Sequence, residues 1–225
     1  MINSISSLES SHFPVMLNEV IKICSPYKGG VYLDCTFGGG GYSKRLLKFC
    51  KTKVIALDRD KFIVNISENL KKEYPNRFFF HQKKFSELNT VVDNQLVDAV
   101  VFDLGLSSIQ LKNLKRGFSF KSKENLDMSM GLSTISAEEV INECSEQKLK
   151  SIIKFLGEEK DASRIAKNII KTRLTKKITK VDQLVKIIEK SKKKNYASKI
   201  NPSTKTFQAL RIFVNKEITE LIEGI

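Results

Sequence analysis

The sequence contains no tryptophan, only two histidines and four scattered cysteines. The cysteines form no C-x-x-C pair, so we expect neither a zinc ribbon nor a disulfide framework, and no metal site. No stretch approaches the ~20 consecutive apolar residues of a transmembrane helix. The polar, serine-rich residues 1–11 also lack the apolar core of a secretory signal. These absences predict a cytoplasmic protein that keeps its thiols reduced and has no membrane partner.

Basic side chains outnumber acidic ones by 39 to 25, which gives a formal net charge of +14. The excess is concentrated in residues 160–205, where there are 15 basic residues and only three acidic ones. A surface of that charge density attracts phosphate backbones, so we expect a polyanionic partner. The alternative is a solvated lysine face. The low arginine content favours it, because only seven of the 39 cations carry the bidentate guanidinium group.

The first half of the chain alternates between strand-like and helix-like segments. Four segments have the pattern of buried strands, namely residues 31–35, 53–58, 77–81 and 97–103. Helices are predicted between them, for example over 61–73, and this alternation is typical of an α/β fold with a parallel, twisted sheet. After Gly105 only amphipathic helices are predicted. One begins with the capping box Ser136-x-x-Glu139, and the last runs from about 205 to 223.

Four consecutive glycines, residues 38–41, directly follow the first predicted strand. In a parallel sheet the ligand crevice lies at the carboxyl ends of the strands, and glycines let the backbone approach a ligand closely. Asp58 ends the second strand, where a carboxylate can accept hydrogen bonds from both hydroxyls of an adenosine ribose. The two features predict a site for an adenosine-containing cofactor, either NAD or S-adenosylmethionine. The loop does not match G-x-G-x-x-G, and no P-loop motif is present.

Two further strand ends favour the methyl donor. Phe85 follows the third strand, where its ring can pack on adenine, although a core position is an equally good interpretation. Asp103 ends the fourth strand, where a carboxylate can pair with the ammonium group of methionine or accept a proton from a substrate amine. Its alternative role is that of a helix cap or turn residue. We take Asp103 as the candidate catalytic residue.

The motifs around these residues extend in collinear order over nearly the whole chain. They are HFPVMLNE (12–19), YLDCTFGGGGYS (32–43), ALDRD (56–60), DAVVFDLGLSS (98–108), RGFSF (116–120), LDMSM (126–130), GEE (157–159), RIA (164–166) and TKTFQALRIFVNKE (204–217). In this combination the sequence resembles the MraW family, the ribosomal RNA small-subunit methyltransferases H.

The resemblance implies a class I, Rossmann-like methyltransferase that uses S-adenosylmethionine to methylate N4 of a cytidine in small-subunit (16S) ribosomal RNA. The partner is then that RNA or the assembled small ribosomal subunit. The implied cofactor contacts are Gly40, Gly41, Tyr42, Asp58, Phe85, Asp103 and Gln110. Tyr42 replaces the histidine that is usual in the family, and the glycine run replaces Gly-Arg-Gly-Gly. Both changes leave the backbone contacts possible.

The resemblance also implies a division of the chain. Residues 1–114 form the cofactor-binding α/β domain, 115–203 an inserted helical and basic subdomain for substrate recognition, and 204–225 a return helix of the α/β domain. The expected strand order is 3-2-1-4. The family continues with further strands after this helix, so we expect a sheet that is incomplete at its C-terminal strands, as in a truncated chain.

Two other functions stay open at this stage. An NAD-dependent oxidoreductase would use the same glycine loop and ribose carboxylate. A non-catalytic RNA-binding or ribosome-assembly protein would use the basic segment alone. For RNA contacts, Phe118 and Phe120 are candidates for base stacking, with Arg116 and Lys121 as phosphate contacts. The alternative for these rings is an apolar plug that covers the core.

Overall fold

The computed structural model describes residues 14–92, 96–192 and 200–225. The chain divides into two compact units. The first, which we call the sheet unit, consists of residues up to Ile109 together with Glu220–Ile225. The second, the helical unit, consists of Gln110–Thr219.

The sheet unit contains the strands β1 (Gly30–Asp34), β2 (Thr52–Leu57), β3 (Phe78–His81) and β4 (Ala99–Val101). Its helices are α1 (Leu17–Cys24), α2 (Gly41–Leu47), α3 (Val64–Glu73) and α4 (Asn89–Val92). All strand pairs are parallel, and the order β3-β2-β1-β4 confirms the predicted one. Asp34 at the end of β1 pairs with Ala56 of β2 and Val101 of β4, so the carboxyl ends of these strands lie at one edge.

Apolar side chains cover both faces of the sheet. Alternate residues of a strand point to opposite faces. Tyr32 and Val54 therefore join a cluster with residues of α1, α2 and α3, whereas Leu33 and Ile55 join a second cluster with residues of segment 85–92. Burial on both faces is the rule for parallel sheets, and it explains why β1 and β2 are nearly continuous apolar runs.

Strand β4 is shorter than the predicted 97–103, and side chains take part in the hydrogen bonding at both of its ends. The Asp98 N–H donates to the Val31 carbonyl, and the Val31 N–H donates to the Asp98 carboxylate, both at 2.8 Å. After Val101 the Asp103 N–H donates to Thr36 Oγ1 at 2.8 Å instead of to a carbonyl. The ladder therefore ends just before the residue that matters for the site.

The helical unit contains α6 (Ala137–Glu143), α7 (Glu146–Gly157), α8 (Ala162–Arg173), α9 (Val181–Ser191) and α10 (Thr204–Val214). Helices α5 (Ser108–Lys112) and α11 (Glu217–Gly224) each cross a boundary between the units. Helix α7 packs against α8 and α10, and α8 packs against α9. The predicted capping box of α6 is confirmed, since the Glu139 N–H donates to Ser136 Oγ and the Ser136 N–H donates to the Glu139 carboxylate.

The prediction of one helix from about 205 to 223 is wrong. Helix α10 ends at Val214, and Lys216 adopts a left-handed conformation with φ of 50° before α11 begins. The cause is the side chain of Asn215, which is buried and bonds to the segment 128–133. Residues 204–219 also group with the helical unit, so the chain returns to the sheet unit at Glu220, later than the predicted boundary at 204.

Within the described ranges no helix has the length and apolar character needed to cross a membrane.

Candidate active site

The glycine run forms the turn between β1 and α2, and two of its positions have no room for a side chain. Gly38 and Gly40 adopt positive φ angles of 51° and 75°. A Cβ on Gly40 would lie 2.9 Å from the ring of Phe37, and a Cβ on Gly41 would collide with the ring of Pro14. The N–H of Gly40 donates to the Phe37 carbonyl at 2.7 Å, which closes the turn. The local fold therefore favours glycine at position 38 because of its positive φ, and it requires glycine at Gly40 and Gly41 because Phe37 and Pro14 occupy the space of a side chain.

Asp58 lies beside this loop, as the sequence predicted, and it supports the loop directly. One carboxylate oxygen accepts the Gly38 N–H at 2.9 Å, and the other accepts the Asp60 N–H at 2.8 Å. Burial raises the pKa of the Asp58 carboxyl to about 6. Each carboxylate oxygen has a second lone pair, so the group retains acceptor capacity for two hydroxyls of a ligand.

A second carboxylate, Asp34, lies beneath the loop, and sequence reasoning missed it. Asp34 is fully buried, accepts the Ser43 hydroxyl at 2.6 Å and accepts the Thr36 N–H at 3.3 Å. It thereby ties the end of β1 to the first turn of α2. Burial raises the pKa of Asp34 to about 6. The signal in the sequence was an aspartate at the end of the apolar first strand.

Asp103 is connected to the same scaffold through Thr36 and Tyr42. Its N–H donates to Thr36 Oγ1 at 2.8 Å, and its carboxylate lies 3.3 Å from the Tyr42 hydroxyl. That hydroxyl carries a single proton and makes its shorter bond, 2.6 Å, to the Val15 carbonyl. Burial and the charge of Asp103 raise the pKa of Tyr42 to about 12, so the phenol stays protonated at neutral pH.

Phe85 packs inside the sheet unit. Its ring meets Phe102 edge-on, with 5.5 Å between the ring centroids, and a Cβ on Gly224 would lie 2.8 Å from it. The ring is half-buried in the cluster on one face of the sheet. Its predicted contact with adenine stays a prediction. Gln110 is buried on α5 and belongs to the helical unit, and its predicted cofactor contact also stays a prediction.

The predicted RNA contacts at Phe118 and Arg116 are wrong. Phe118 is 4% exposed and Arg116 is 5% exposed, so neither can reach a base or a phosphate. The guanidinium of Arg116 lies over the Phe118 ring at 5.0 Å and donates to the Ser129 carbonyl. Phe120 is half-buried and meets Phe207 edge-on. The alternative interpretation, in which these rings pack in the core, is correct for Phe118.

The raised pKa of Asp34 makes stability depend on pH. A buried carboxyl whose pKa rises from 3.8 to about 6 binds its proton more tightly in the folded chain than in the unfolded chain. The protonated carboxyl therefore contributes favourably to the free energy of unfolding below about pH 4, and this contribution is lost as the pH rises to about 6. The cost of the buried charge above that range is ~3 kcal/mol.

We therefore expect Asp34→Asn to stabilise the folded chain at pH 7 and to have little effect at pH 4. The amide has the same shape, and its oxygen can accept the Thr36 N–H while its nitrogen donates to Ser43 Oγ. Urea unfolding of both proteins at several pH values between 4 and 7 measures the difference in free energy. A difference that stays constant across this range would contradict the assignment.

The chain matches the model of the MraW methylase family over residues 9–225. It is 44% identical to the ribosomal RNA small subunit methyltransferase H of Rickettsia canadensis, over 95% of this chain and 69% of the relative. The proteins of the same name from Orientia tsutsugamushi and Ehrlichia ruminantium are 43% and 42% identical, over 95% of this chain and 70% and 73% of their own lengths. The resemblance found in the motifs is therefore confirmed, and the chain belongs to the MraW methylase family.

Proposed function

We propose that the chain transfers a methyl group from S-adenosylmethionine to N4 of a cytidine in small-subunit ribosomal RNA. The main support is that the glycine loop, Asp58 and Asp103 follow the three neighbouring strands β1, β2 and β4, so they lie together at the carboxyl ends of these strands. The names of the relatives support ribosomal RNA as the substrate. Family membership favours the methyl donor over NAD. The reaction would take place in the cytoplasm, on the free RNA or on the assembled small subunit.

The groups around the loop fit the methyl donor. Asp58 offers two acceptor oxygens for the two ribose hydroxyls, and the Asp103 carboxylate matches the charge of the amino-acid ammonium. Phe85 would contact adenine, and the backbone of the glycine loop at Gly40 and Gly41 would lie against the cofactor. Bound at this site, S-adenosylmethionine would supply an electrophilic methyl group.

The residues of the chain must then make a poor nucleophile react. The lone pair of cytosine N4 is delocalised into the ring, so the amine has to be aligned with the methyl group and has to lose a proton. We propose Asp103 as the acceptor of that proton. Thr36 fixes the backbone of Asp103, and the Tyr42 hydroxyl lies 3.3 Å from its carboxylate. Because Tyr42 keeps its proton, it does not compete for the proton from the amine.

The test is methyl transfer by the purified chain to small-subunit RNA and to small subunits that lack the modification. Digestion of the product to nucleosides and mass spectrometry would identify N4-methylcytidine. Methylation of another nucleoside would contradict the N4 assignment. RNA binding without any methyl incorporation would support the alternative, a non-catalytic RNA-binding or assembly protein.

We expect Asp58→Ala to weaken S-adenosylmethionine binding by ~1–3 kcal/mol, the range for a lost hydrogen bond to a charged or buried partner. Isothermal titration calorimetry measures this affinity directly. Asp182→Ala is the matched control, because Asp182 is a partly exposed carboxylate that pairs with Lys186 on α9. Circular dichroism melts would verify that both variants fold. An unchanged affinity in Asp58→Ala would contradict the proposal that Asp58 binds the ribose hydroxyls.

A further inference from the structure

A cavity of about 490 Å³ opens on the helical unit between α8, α9 and the turn that joins them. We call it the lysine groove, because five lysines line it: Lys171, Lys176, Lys177, Lys186 and Lys190. Among the residues that the structure describes, no aspartate or glutamate lines this cavity. A concave surface with charges of one sign concentrates the field, so the groove attracts anions more strongly than a flat surface with the same lysines would.

The ammonium groups of the groove are available to a partner. Lys177 pairs with Glu138 at 3.0 Å and Lys186 with Asp182 at 3.2 Å, but these lysine side chains are 63% and 70% exposed. Exposed pairs of this kind contribute little stability, so a phosphate can displace them. The three other lysines of the groove are exposed and form no ion pair within the described part of the chain.

Lys192 belongs to the same basic segment but differs from the lysines of the groove. Lys192 is 19% exposed, and its ammonium lies 2.5 Å from the buried Glu159 carboxylate and 2.8 Å from the Pro202 carbonyl. It neutralises a buried charge and has a structural role. The neighbouring Lys193 and Lys194, which belong to the same cluster in the sequence, lie outside the described residues. The structure thus separates the lysines of the groove from a lysine that the fold itself uses.

The floor of the groove is apolar, whereas its rim is charged. Ile178 and Ile187 are buried and line the cavity together with the aliphatic parts of the lysine side chains. The polar lining groups are occupied by the fold, since Asn168 donates to Ser191 and Gln183 accepts the Thr179 N–H. An apolar floor accommodates sugars and base faces, and the ring of ammonium groups neutralises phosphates. A nucleic acid strand has both kinds of surface.

We propose that the lysine groove binds the sugar–phosphate backbone of the substrate RNA and so holds the RNA on the helical unit. The inference rests on the proposed function for the choice of RNA as the anion. The contacts are to phosphates, so the groove contributes affinity and position and does not read the sequence of bases.

The test compares two triple variants that remove the same charge. In the groove variant, Lys171, Lys176 and Lys190 become Gln. In the control variant, Lys123, Lys150 and Lys160 become Gln. These control lysines are exposed in the same unit and do not line the groove. Fluorescence anisotropy with a labelled single-stranded fragment of small-subunit RNA, measured over a series of NaCl concentrations, gives the affinity and its salt dependence.

We expect the groove variant to lose affinity at least tenfold, and its slope of log K against log [salt] to flatten by about 2, since each phosphate contact on a single strand contributes about 0.7. The control should change the slope by much less. Replacing the same three groove lysines with Arg should preserve the slope, which excludes misfolding as the cause. Equal losses in the groove and control variants would overturn the proposal.

The outcome is separable from that of the proposed function. If the wild-type chain methylates RNA but the two Gln variants bind RNA equally, the groove proposal fails and the methyltransferase proposal stands. If the groove variant alone loses RNA binding while the wild type transfers no methyl group, the groove is an RNA site and the proposed reaction fails.

Discussion

Asp103→Asn should lower the rate of methyl transfer by ~10²–10⁴-fold, the contribution typical of a general base. The amide cannot accept a proton, but it keeps the shape of the carboxylate and an oxygen that can still bond to an ammonium group. The main loss should therefore be in kcat, with a smaller weakening of S-adenosylmethionine binding. Single-turnover methyl transfer and calorimetry on the same preparation separate the two effects.

Tyr42→Phe is the matched control for this variant. It removes the hydroxyl that lies 3.3 Å from the Asp103 carboxylate and 2.6 Å from the Val15 carbonyl, but it leaves the carboxylate in place. We expect a much smaller reduction in rate than for Asp103→Asn, because Tyr42 lies beside the acceptor and does not take the proton. If Asp103→Asn retains the wild-type rate with bound cofactor, Asp103 is not the proton acceptor.

Asn215→Ala should destabilise the folded chain by ~3–4 kcal/mol, as expected when several buried hydrogen-bonding groups lose their partner at once. The Asn215 side chain is fully buried, accepts the Met130 N–H at 2.8 Å and the Ser133 hydroxyl at 2.6 Å, and donates to the Met128 carbonyl at 2.9 Å. Alanine leaves these groups without a partner and creates a small cavity. Urea unfolding of the whole chain, followed by circular dichroism, measures the change.

Lys216→Gly is the control at the next position. Lys216 is exposed and has a φ of 50°, a conformation that glycine adopts without steric cost. We expect this variant to be as stable as the wild type or slightly more so, because the left-handed turn remains and the hydrogen bonds of Asn215 are untouched. A stability loss in Lys216→Gly equal to that in Asn215→Ala would show that the turn, and not the buried amide, holds α10 and α11 apart.

Local sequence patterns were sufficient for the α/β sheet and for the placement of the glycine run beside Asp58. Apolar runs that alternate with helical segments predicted the four strands, and the parallel order 3-2-1-4 is confirmed. The glycine run had to lie at a strand end next to Asp58, because the carboxyl ends of adjacent parallel strands share one edge of a sheet. The observed bond from Gly38 to Asp58 is a direct consequence of that geometry. Ser136 and Glu139 predicted their helix start for a similar reason, since a capping box is formed by residues three positions apart.

What only the tertiary structure decided was the partner of each polar side chain. In the sequence Lys192 and Lys190 look alike, yet one neutralises the buried Glu159 and the other lines an open groove. Phe118 could equally have been a stacking platform or a core residue, and its burial decides for the core. The periodicity of a helix depends on neighbours three or four residues away, and it therefore predicts where a helix forms. Ion pairs, burial and the helix break at Asn215 depend on residues that are far apart in the chain, so they follow from the packing of the whole unit.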